Sequence, residues 1–174
     1  MKAPPDVIAA RRAALHVSMK ERIAKYGYTM QYVFPSEEDN SPGFFYTIGL
    51  CARGWPEIFL SGNLGQETGA RFIHDVIELW EKTGKPVLGV IPDFLELVGK
   101  KGSFAAETVL VDSQVARNNY TFQVENFYPE VSYDVAQLLW PDPEGNLPNN
   151  PQYVKDPRYA QVQLPLLAPP QTLH

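Results

Sequence analysis

The sequence predicts an α+β domain, with a mostly antiparallel sheet of five or six strands and two or three packed helices. Two long stretches carry apolar residues at the three- and four-residue spacing of amphipathic helices. Several short stretches rich in aromatic and β-branched residues alternate with polar turns, which is typical of strands. Hydrophobic residues make up 44% of the 174 residues, enough for one domain with a substantial core.

The first predicted element is a helix over residues 6–26. Gly27 follows it, in the place favoured for a left-handed cap, and two prolines precede it. The chain is therefore divided into an N-terminal helix, residues 1–27, and a single α+β domain, residues 28–174. The apolar stripe of the helix is expected to consist of Ile8, Leu15, Met19, Ile23 and Tyr26.

Three strands are predicted next, over residues 28–35, 44–50 and 57–62, and their short connections favour an antiparallel meander. A second helix is predicted over residues 64–83, with Asn63 as its N-terminal cap. The buried side of this helix is expected to consist of Phe72, Ile73, Val76, Ile77 and Trp80.

The second half of the chain is predicted to add three strands and a helix. The strands are "PVLGVI", "FAAETVLV" and "YDVAQLLW". The stretch "SQVARNNYTFQVENFY" fits the two-residue period of a strand poorly, so a helix is the preferred interpretation. Prolines recur from Pro141 onward, and the C-terminal segment is expected to be an extended tail packed on the domain.

Charge and cysteine content exclude several classes of protein. The formal net charge is −5 and no run of Lys or Arg exceeds two, so nucleic-acid binding is not expected. The single cysteine, Cys51, cannot form an intramolecular disulfide and fits a reducing compartment. No apolar segment has the length of a signal peptide or of a membrane span, so we expect a soluble, cytoplasmic protein that does not bind membranes.

Cys51 and the histidines form no catalytic or metal-binding pattern in the sequence. A nucleophilic cysteine needs a base or a positive field, and only Arg53 is near Cys51 along the chain. One cysteine and three scattered histidines do not provide the ligand spacing of a zinc site. We therefore expect Cys51 to be an ordinary buried or half-buried thiol, and we expect no metal site.

The segment "LLWPDPEGNLPNNPQY", residues 138–153, has oxygen-bearing side chains at alternate positions: Asp142, Glu144 and Asn146. A calcium loop of the EF-hand type needs glycine at position six and glutamate at position twelve, where this segment has Leu147 and Tyr153. The residues of "PDPEGN" are instead those of a tight turn. The preferred interpretation is a structural corner in which Asp142 accepts backbone N–H groups, as in an Asx-turn.

Two segments resemble the paired motifs of the DUF4262 family, whose members are bacterial proteins of undefined function. Residues 43–62 fit a "YT-G-L" strand followed by a "PE" strand, and residues 136–153 fit a "Q-WPD--G--P" pattern. The resemblance spans roughly residues 25–168, leaves out the first helix and implies no activity. The matching residues are Tyr46, Thr47, Gly49, Leu50, Pro56 and Glu57 in the first segment, and Gln137, Trp140, Pro141, Asp142, Gly145 and Pro148 in the second.

A candidate ligand site follows if the corner lies beside the "YTIGL" strand. Arg53 and Arg71 would then be the basic pair available to bind a phosphate group near that site. The side chains expected to form a polar-rimmed aromatic cleft are Tyr46, Thr47, Glu57, Trp140 and Asp142.

Two classes of function remain open. The absence of a histidine from both motif segments favours a module that binds a small molecule or a protein, and an accessory role in a bacterial conflict system fits such a module. The alternative is an enzyme or cofactor binder of the flavin type, in which the cleft near Tyr46 and Trp140 stacks on the isoalloxazine ring. The cofactor, the ligand, the partner and the oligomeric state are left undetermined.

Overall fold

The computed structural model describes residues 4–38, 40–96, 99 and 101–167, and within them six strands form a single sheet. The sheet order is β1-β2-β3-β6-β5-β4, and all neighbouring strands are antiparallel except β3 and β6, which are parallel. The predicted α+β class with a mostly antiparallel sheet is confirmed. The strands are β1 (Thr29–Val33), β2 (Phe44–Ile48), β3 (Glu57–Ser61), β4 (Gly89–Glu96), β5 (Ser103–Val111) and β6 (Val135–Leu139).

Four α-helices accompany the sheet in the described part of the chain: α1 (Pro5–Tyr26), α2 (Gln66–Thr83), α3 (Ser113–Asn119) and α4 (Phe122–Phe127). The helical interpretation of residues 113–128 is correct, but the chain forms two short helices there. Asp112 begins the first of them, because its carboxylate accepts hydrogen bonds from the backbone N–H groups of Gln114 and Val115 at 2.9 and 3.2 Å.

The helix α2 covers one face of the sheet. Its predicted buried side is confirmed, since Phe72, Ile73, Val76, Ile77 and Trp80 are each no more than 1% exposed. Gly69 permits this close approach: a Cβ atom there would lie 2.3 Å from the Phe45 ring. The predicted cap is wrong. Gly65, with φ of 74°, leads the chain into the helix without a side-chain cap, and Asn63 instead donates a hydrogen bond to the Pro157 carbonyl at 3.2 Å.

The opposite face is covered by α1, α3 and α4. The His16 ring stacks on Phe127 with the ring centroids 4.5 Å apart, and Met19 is 5% exposed. The predicted apolar stripe of α1 is wrong in its first half, because residues 8–15 are all exposed. Only the C-terminal half of α1 reaches the sheet, so an apolar residue such as Leu15, which is 52% exposed, has nothing to pack against.

The edge strand β4 continues beyond its predicted end at Ile91. Pro92 cannot donate a backbone hydrogen bond, and the pairing of β4 with β5 shifts register between Ile91 and Leu95 to accommodate it. Asp93 within this irregularity has a positive φ of 50°. Proline is tolerated here because β4 has only one neighbouring strand in the sheet.

The C-terminal segment packs on the domain over the described residues 141–167. The Gln137 side chain holds it by donating to the Val162 carbonyl and by accepting from the Leu164 N–H at 2.9 Å. Ser61 adds a hydrogen bond, since its hydroxyl accepts from the Val162 N–H at 3.1 Å. The final residues of the predicted tail, 168–174, lie outside the described residues. None of the described helices is both long and apolar enough to span a membrane.

Trp80 provides a test of the packing of α2 on the sheet. The side chain is fully buried, and its indole N–H donates to the Val87 carbonyl at 3.2 Å. We expect Trp80→Ala to lower the free energy of unfolding by about 3–5 kcal/mol, because it leaves a large cavity. Glu78→Ala, which changes an exposed residue of the same helix, should lower it by less than about 0.5 kcal/mol. Urea unfolding measures both, and equal losses would refute the assigned buried side.

Candidate functional site

A fully buried carboxylate, that of Glu57, organises the segment 43–62. Its Oε2 atom accepts a hydrogen bond from the Thr47 hydroxyl at 2.6 Å. Its Oε1 atom accepts from the backbone N–H groups of Gly49 and Cys51 at 2.9 and 3.0 Å. The Thr47 hydroxyl oxygen in turn accepts from the Ile58 N–H at 2.8 Å. These donors replace water around the carboxylate and offset the cost of burying it.

The backbone conformation at position 49 requires glycine. Gly49 has φ of 122°, and a Cβ atom there would lie 2.7 Å from the Gly27 carbonyl oxygen. Thr47, Gly49 and Glu57 therefore form one structural unit, which we call the Glu57 anchor. The anchor holds the short 3₁₀ turn Leu50–Arg53 against the start of β3.

Cys51 and Tyr46 are buried groups beside the anchor. Burial and the neighbouring Glu57 carboxylate raise the pKa of the Cys51 thiol to about 12. Burial likewise raises the pKa of Tyr46 to about 12. Both groups are protonated near neutral pH, so Cys51 lacks the thiolate that a nucleophile needs.

The second segment forms the structural corner that the sequence predicts. The Asp142 carboxylate accepts hydrogen bonds from the backbone N–H groups of Glu144, Asn146 and Val154 at 2.9, 2.9 and 2.8 Å. Burial alone would raise the pKa of Asp142, but these hydrogen bonds and one from the Asn146 side chain lower it below its ordinary value. The carboxylate thus closes the corner.

Trp140 ties this corner to β3. Its indole N–H donates to the Ser61 carbonyl at 2.9 Å. Gly62 has φ of 136°, and a Cβ atom there would lie 2.6 Å from the Trp140 ring, so only glycine fits beside the indole. The corner and Trp140 therefore have structural roles that account for their residue types.

The motif residues were expected to line an open cleft, and they do not. The five side chains predicted to form it point into the protein, where the anchor and the corner provide their hydrogen bonds. All five are no more than 4% exposed: Tyr46, Thr47, Glu57, Trp140 and Asp142. A ligand on the surface of the folded protein would not reach them.

The predicted basic pair does not form either. Arg53 makes an ion pair with Glu81 at 2.8 Å and donates to the Tyr26 carbonyl at 3.0 Å. Arg71 donates to the Glu96 carbonyl at 3.1 Å. Glu81, the partner of Arg53, lies ten residues further along α2 than Arg71, a rise of about 15 Å. The two guanidinium groups therefore bind different parts of the protein.

The structure instead contains an open groove of about 480 Å³ between the end of α1, β1 and α2. We call it the α1–β1–α2 groove. Aromatic rings dominate its lining, and the Tyr32 and Phe45 rings stack with their centroids 4.4 Å apart. Its lining residues are Arg22 and Tyr26 from α1; Tyr28, Thr29, Met30 and Tyr32 from the β1 region; Phe45 from β2; and Gln66, Ala70 and His74 from α2.

The polar groups of the groove are available to a ligand. Arg22, Gln66 and His74 are exposed, and none of their side chains makes a hydrogen bond or an ion pair with another described residue. The groove lining includes no Asp or Glu among the described residues. Arg22 is therefore the charged side chain of the described lining.

The sequence predicts part of the groove lining, although it does not predict the groove itself. The alternation along β1 correctly placed Tyr28, Met30 and Tyr32 on one face. Arg22 and His74 line the same groove because of the positions of α1 and α2 in the fold, which no local sequence pattern encodes. Metal-binding groups give no alternative site, since no three His, Cys, Asp or Glu side chains are grouped to hold an ion in the described ranges.

Comparison with known families assigns the chain. The sequence profile of a family described as "Domain of unknown function (DUF4262)" matches residues 22–154. The chain belongs to the DUF4262 family. The DUF4262 match begins at Arg22, within the helix expected to lie outside it, and it includes all six strands and every lining residue of the groove. No curated protein and no solved structure matches the chain significantly.

The Glu57 anchor predicts a large loss of stability on truncation. Glu57→Ala should lower the free energy of unfolding by at least about 3 kcal/mol, because it leaves three buried donors without an acceptor at about 1–3 kcal/mol each. Glu57→Gln keeps one acceptor oxygen and should lose less. Glu130→Ala, at an exposed turn, is the control. Urea unfolding and amide hydrogen exchange at Gly49 and Cys51 measure the effect, and unchanged protection of those amides would contradict the anchor.

Asp142 predicts a pH dependence of stability. Its folded-state pKa lies below the ordinary value of 3.8, so its stabilising contribution is fully present above pH 3.8 and is lost as the pH falls through the folded value. We expect Asp142→Asn to be less stable than the wild type at pH 7, with a difference that narrows below pH 3.8. Urea unfolding between pH 2.5 and 7 measures this, and a constant difference across that range would contradict it.

Proposed function

We propose that this DUF4262 domain is a binding module whose ligand occupies the α1–β1–α2 groove. The proposed ligand combines a flat apolar body with an anionic group. The observation that supports this is the combination, in one groove, of exposed and half-buried tyrosine rings with the exposed Arg22 guanidinium, which has no partner among the described residues.

The size and lining of the groove suit such a ligand. Its volume of about 480 Å³ lies within the range of about 300–1,000 Å³ that is typical of ligand pockets. Tyr26 is 57% exposed at the α1 side, and the stacked rings of Tyr32 and Phe45 lie on the sheet side. Aromatic rings of this kind bind flat apolar groups by offset stacking.

The charge of the groove selects an anion. Arg22 presents a planar guanidinium, which suits bidentate binding of carboxylate, sulfonate or phosphate oxygens. His74 and Gln66 lie on α2 and provide further polar contacts. Because no acidic side chain of the described lining competes for these groups, a ligand anion meets little local repulsion.

The chemistry of the groove favours binding over catalysis. His74, the histidine of the lining, has no side-chain hydrogen-bond partner in the described chain to fix its orientation. A general acid or base normally needs such an orienting partner. The flavin-type alternative loses its proposed stacking surfaces, because Tyr46 and Trp140 are buried, so a flavin would have to occupy the groove.

Two fluorescent probes test the proposal. The first is 8-anilinonaphthalene-1-sulfonate, which combines flat rings with an anion, and the second is N-phenyl-1-naphthylamine, which has the same rings without the sulfonate. We expect saturable binding of the sulfonate probe, with a Kd raised about tenfold by Arg22→Gln, equivalent to about 1.4 kcal/mol. The uncharged probe should bind more weakly and should not respond to Arg22→Gln.

The matched control is Arg12→Gln, which removes an arginine from the exposed half of α1. It should leave both Kd values unchanged. Equal effects of Arg22→Gln and Arg12→Gln would refute the groove as the site. The same titration with FMN, followed by absorbance between 350 and 500 nm, tests the flavin-type alternative, which a stoichiometric FMN complex would support.

A further inference from the structure

Building on the proposed function of the groove, we infer that its ligand is an extended peptide segment of a partner protein. This segment adds to the sheet as a strand beside β1. Its alternate apolar side chains enter the α1–β1–α2 groove, and one of its carboxylates contacts Arg22 and His74.

The first reason is the regular edge that β1 presents. β1 is the last strand of the sheet and pairs with β2 in unbroken register from Thr29 to Val33. Its sequence, "TMQYV", contains no proline, no charged residue and no bulge. Five residues extend over about 17 Å, and the polar backbone groups of an edge of that length can pair with an added strand. The Tyr32 carbonyl accepts from the Gln31 side chain at 3.2 Å, a hydrogen bond that a strand pairing there would displace.

The opposite edge of the sheet shows the contrast. β4 carries the register shift between Ile91 and Leu95, and within it lie Pro92 and the positive φ of Asp93. These are features that prevent strand addition at an edge. Of the two edges of the described sheet, β4 is protected against pairing and β1 is not.

The second reason is the position of the groove relative to β1. Tyr28, Met30 and Tyr32 alternate along the chain and all line the groove. A strand added beside β1 would direct every second side chain toward this same face. Backbone hydrogen bonds would then provide affinity, and the groove would select the alternate side chains, which is how peptides bind by strand addition.

The third reason is charge complementarity, which distinguishes a partner protein from a second copy of this chain. Arg22 and His74 call for an acidic residue in the peptide, and the described lining supplies none. The β1 strand of a second copy contains no Asp or Glu, so β1-to-β1 pairing would leave Arg22 and His74 without a carboxylate partner. An acidic, apolar peptide from another protein meets both requirements.

Selection from random seven-residue peptides displayed on phage tests the inference. The bait is the full chain, and peptides that also bind the double variant Arg22→Gln/His74→Gln are removed. We expect the enriched peptides to carry apolar residues at alternate positions and an Asp or Glu. Replacing that acid by its amide should weaken binding to the wild type about tenfold.

N-methylation of the best peptide, one residue at a time, tests strand addition itself. A strand added at an edge uses the N–H groups of every second residue. We therefore expect N-methylation to weaken binding at least tenfold at alternate positions and little at the positions between. Equal effects at all positions, or none, would overturn strand addition.

Three other results separate the possible failures. Failure to enrich any peptide, while 8-anilinonaphthalene-1-sulfonate still binds through Arg22, would overturn the peptide inference and leave the binding module intact. Absence of both kinds of binding would overturn the module as well. A dimer in light scattering that Gln31→Lys on β1 dissociates would identify a second copy as the occupant, and this too would overturn the inference.

Discussion

The burial of the Glu57 carboxylate is the constraint on which the geometry of the groove depends. The carboxylate needs three donors, and two of them are backbone N–H groups in the chain that leads into and through the turn Leu50–Arg53. That turn fixes the position of Arg53, whose guanidinium reaches the Tyr26 carbonyl of α1 and the Glu81 side chain of α2. Through Arg53, this buried acid is thereby linked to both helices that line the groove.

Residues of the two motifs lie at the two ends of β3 and β6, the parallel pair of the described sheet. Glu57 stands opposite Val135, where β3 and β6 begin, and it anchors the turn that precedes β3. Trp140 follows β6 and binds the Ser61 carbonyl at the end of β3. A parallel pair cannot be joined by a tight hairpin, so its register must be maintained by contacts from elsewhere in the chain. At the start of the pair the Glu57 N–H donates to the Asp134 carbonyl at 2.9 Å, and at its end the Trp140 indole provides the contact.

The sequence predicted the elements better than it predicted the site, for a physical reason. Strong periodicity identified the buried side of α2, because packing and pattern coincide there. It failed for Leu15, since an apolar residue on a helix is buried only if the rest of the fold reaches it. Thr47 and Glu57 were taken for ligand-binding groups because a buried hydrogen-bonding residue and a site residue look alike in a sequence. The groove was not predicted because Arg22 and His74 line the same groove only when α1 and α2 are in their folded positions.

The buried residues that stabilise the fold, Glu57 and Asp142, are different from the residues that line the α1–β1–α2 groove. Glu57 and Asp142 are buried and hydrogen-bonded, so their replacement acts on stability first. The side chains of Arg22, Gln66 and His74 are exposed and make no hydrogen bond within the described chain, so their replacement costs little stability. The groove can therefore acquire a different charge or polarity while the sheet keeps its register. Under the proposed function, a change of ligand would require new side chains at the groove and none at Glu57 or Asp142.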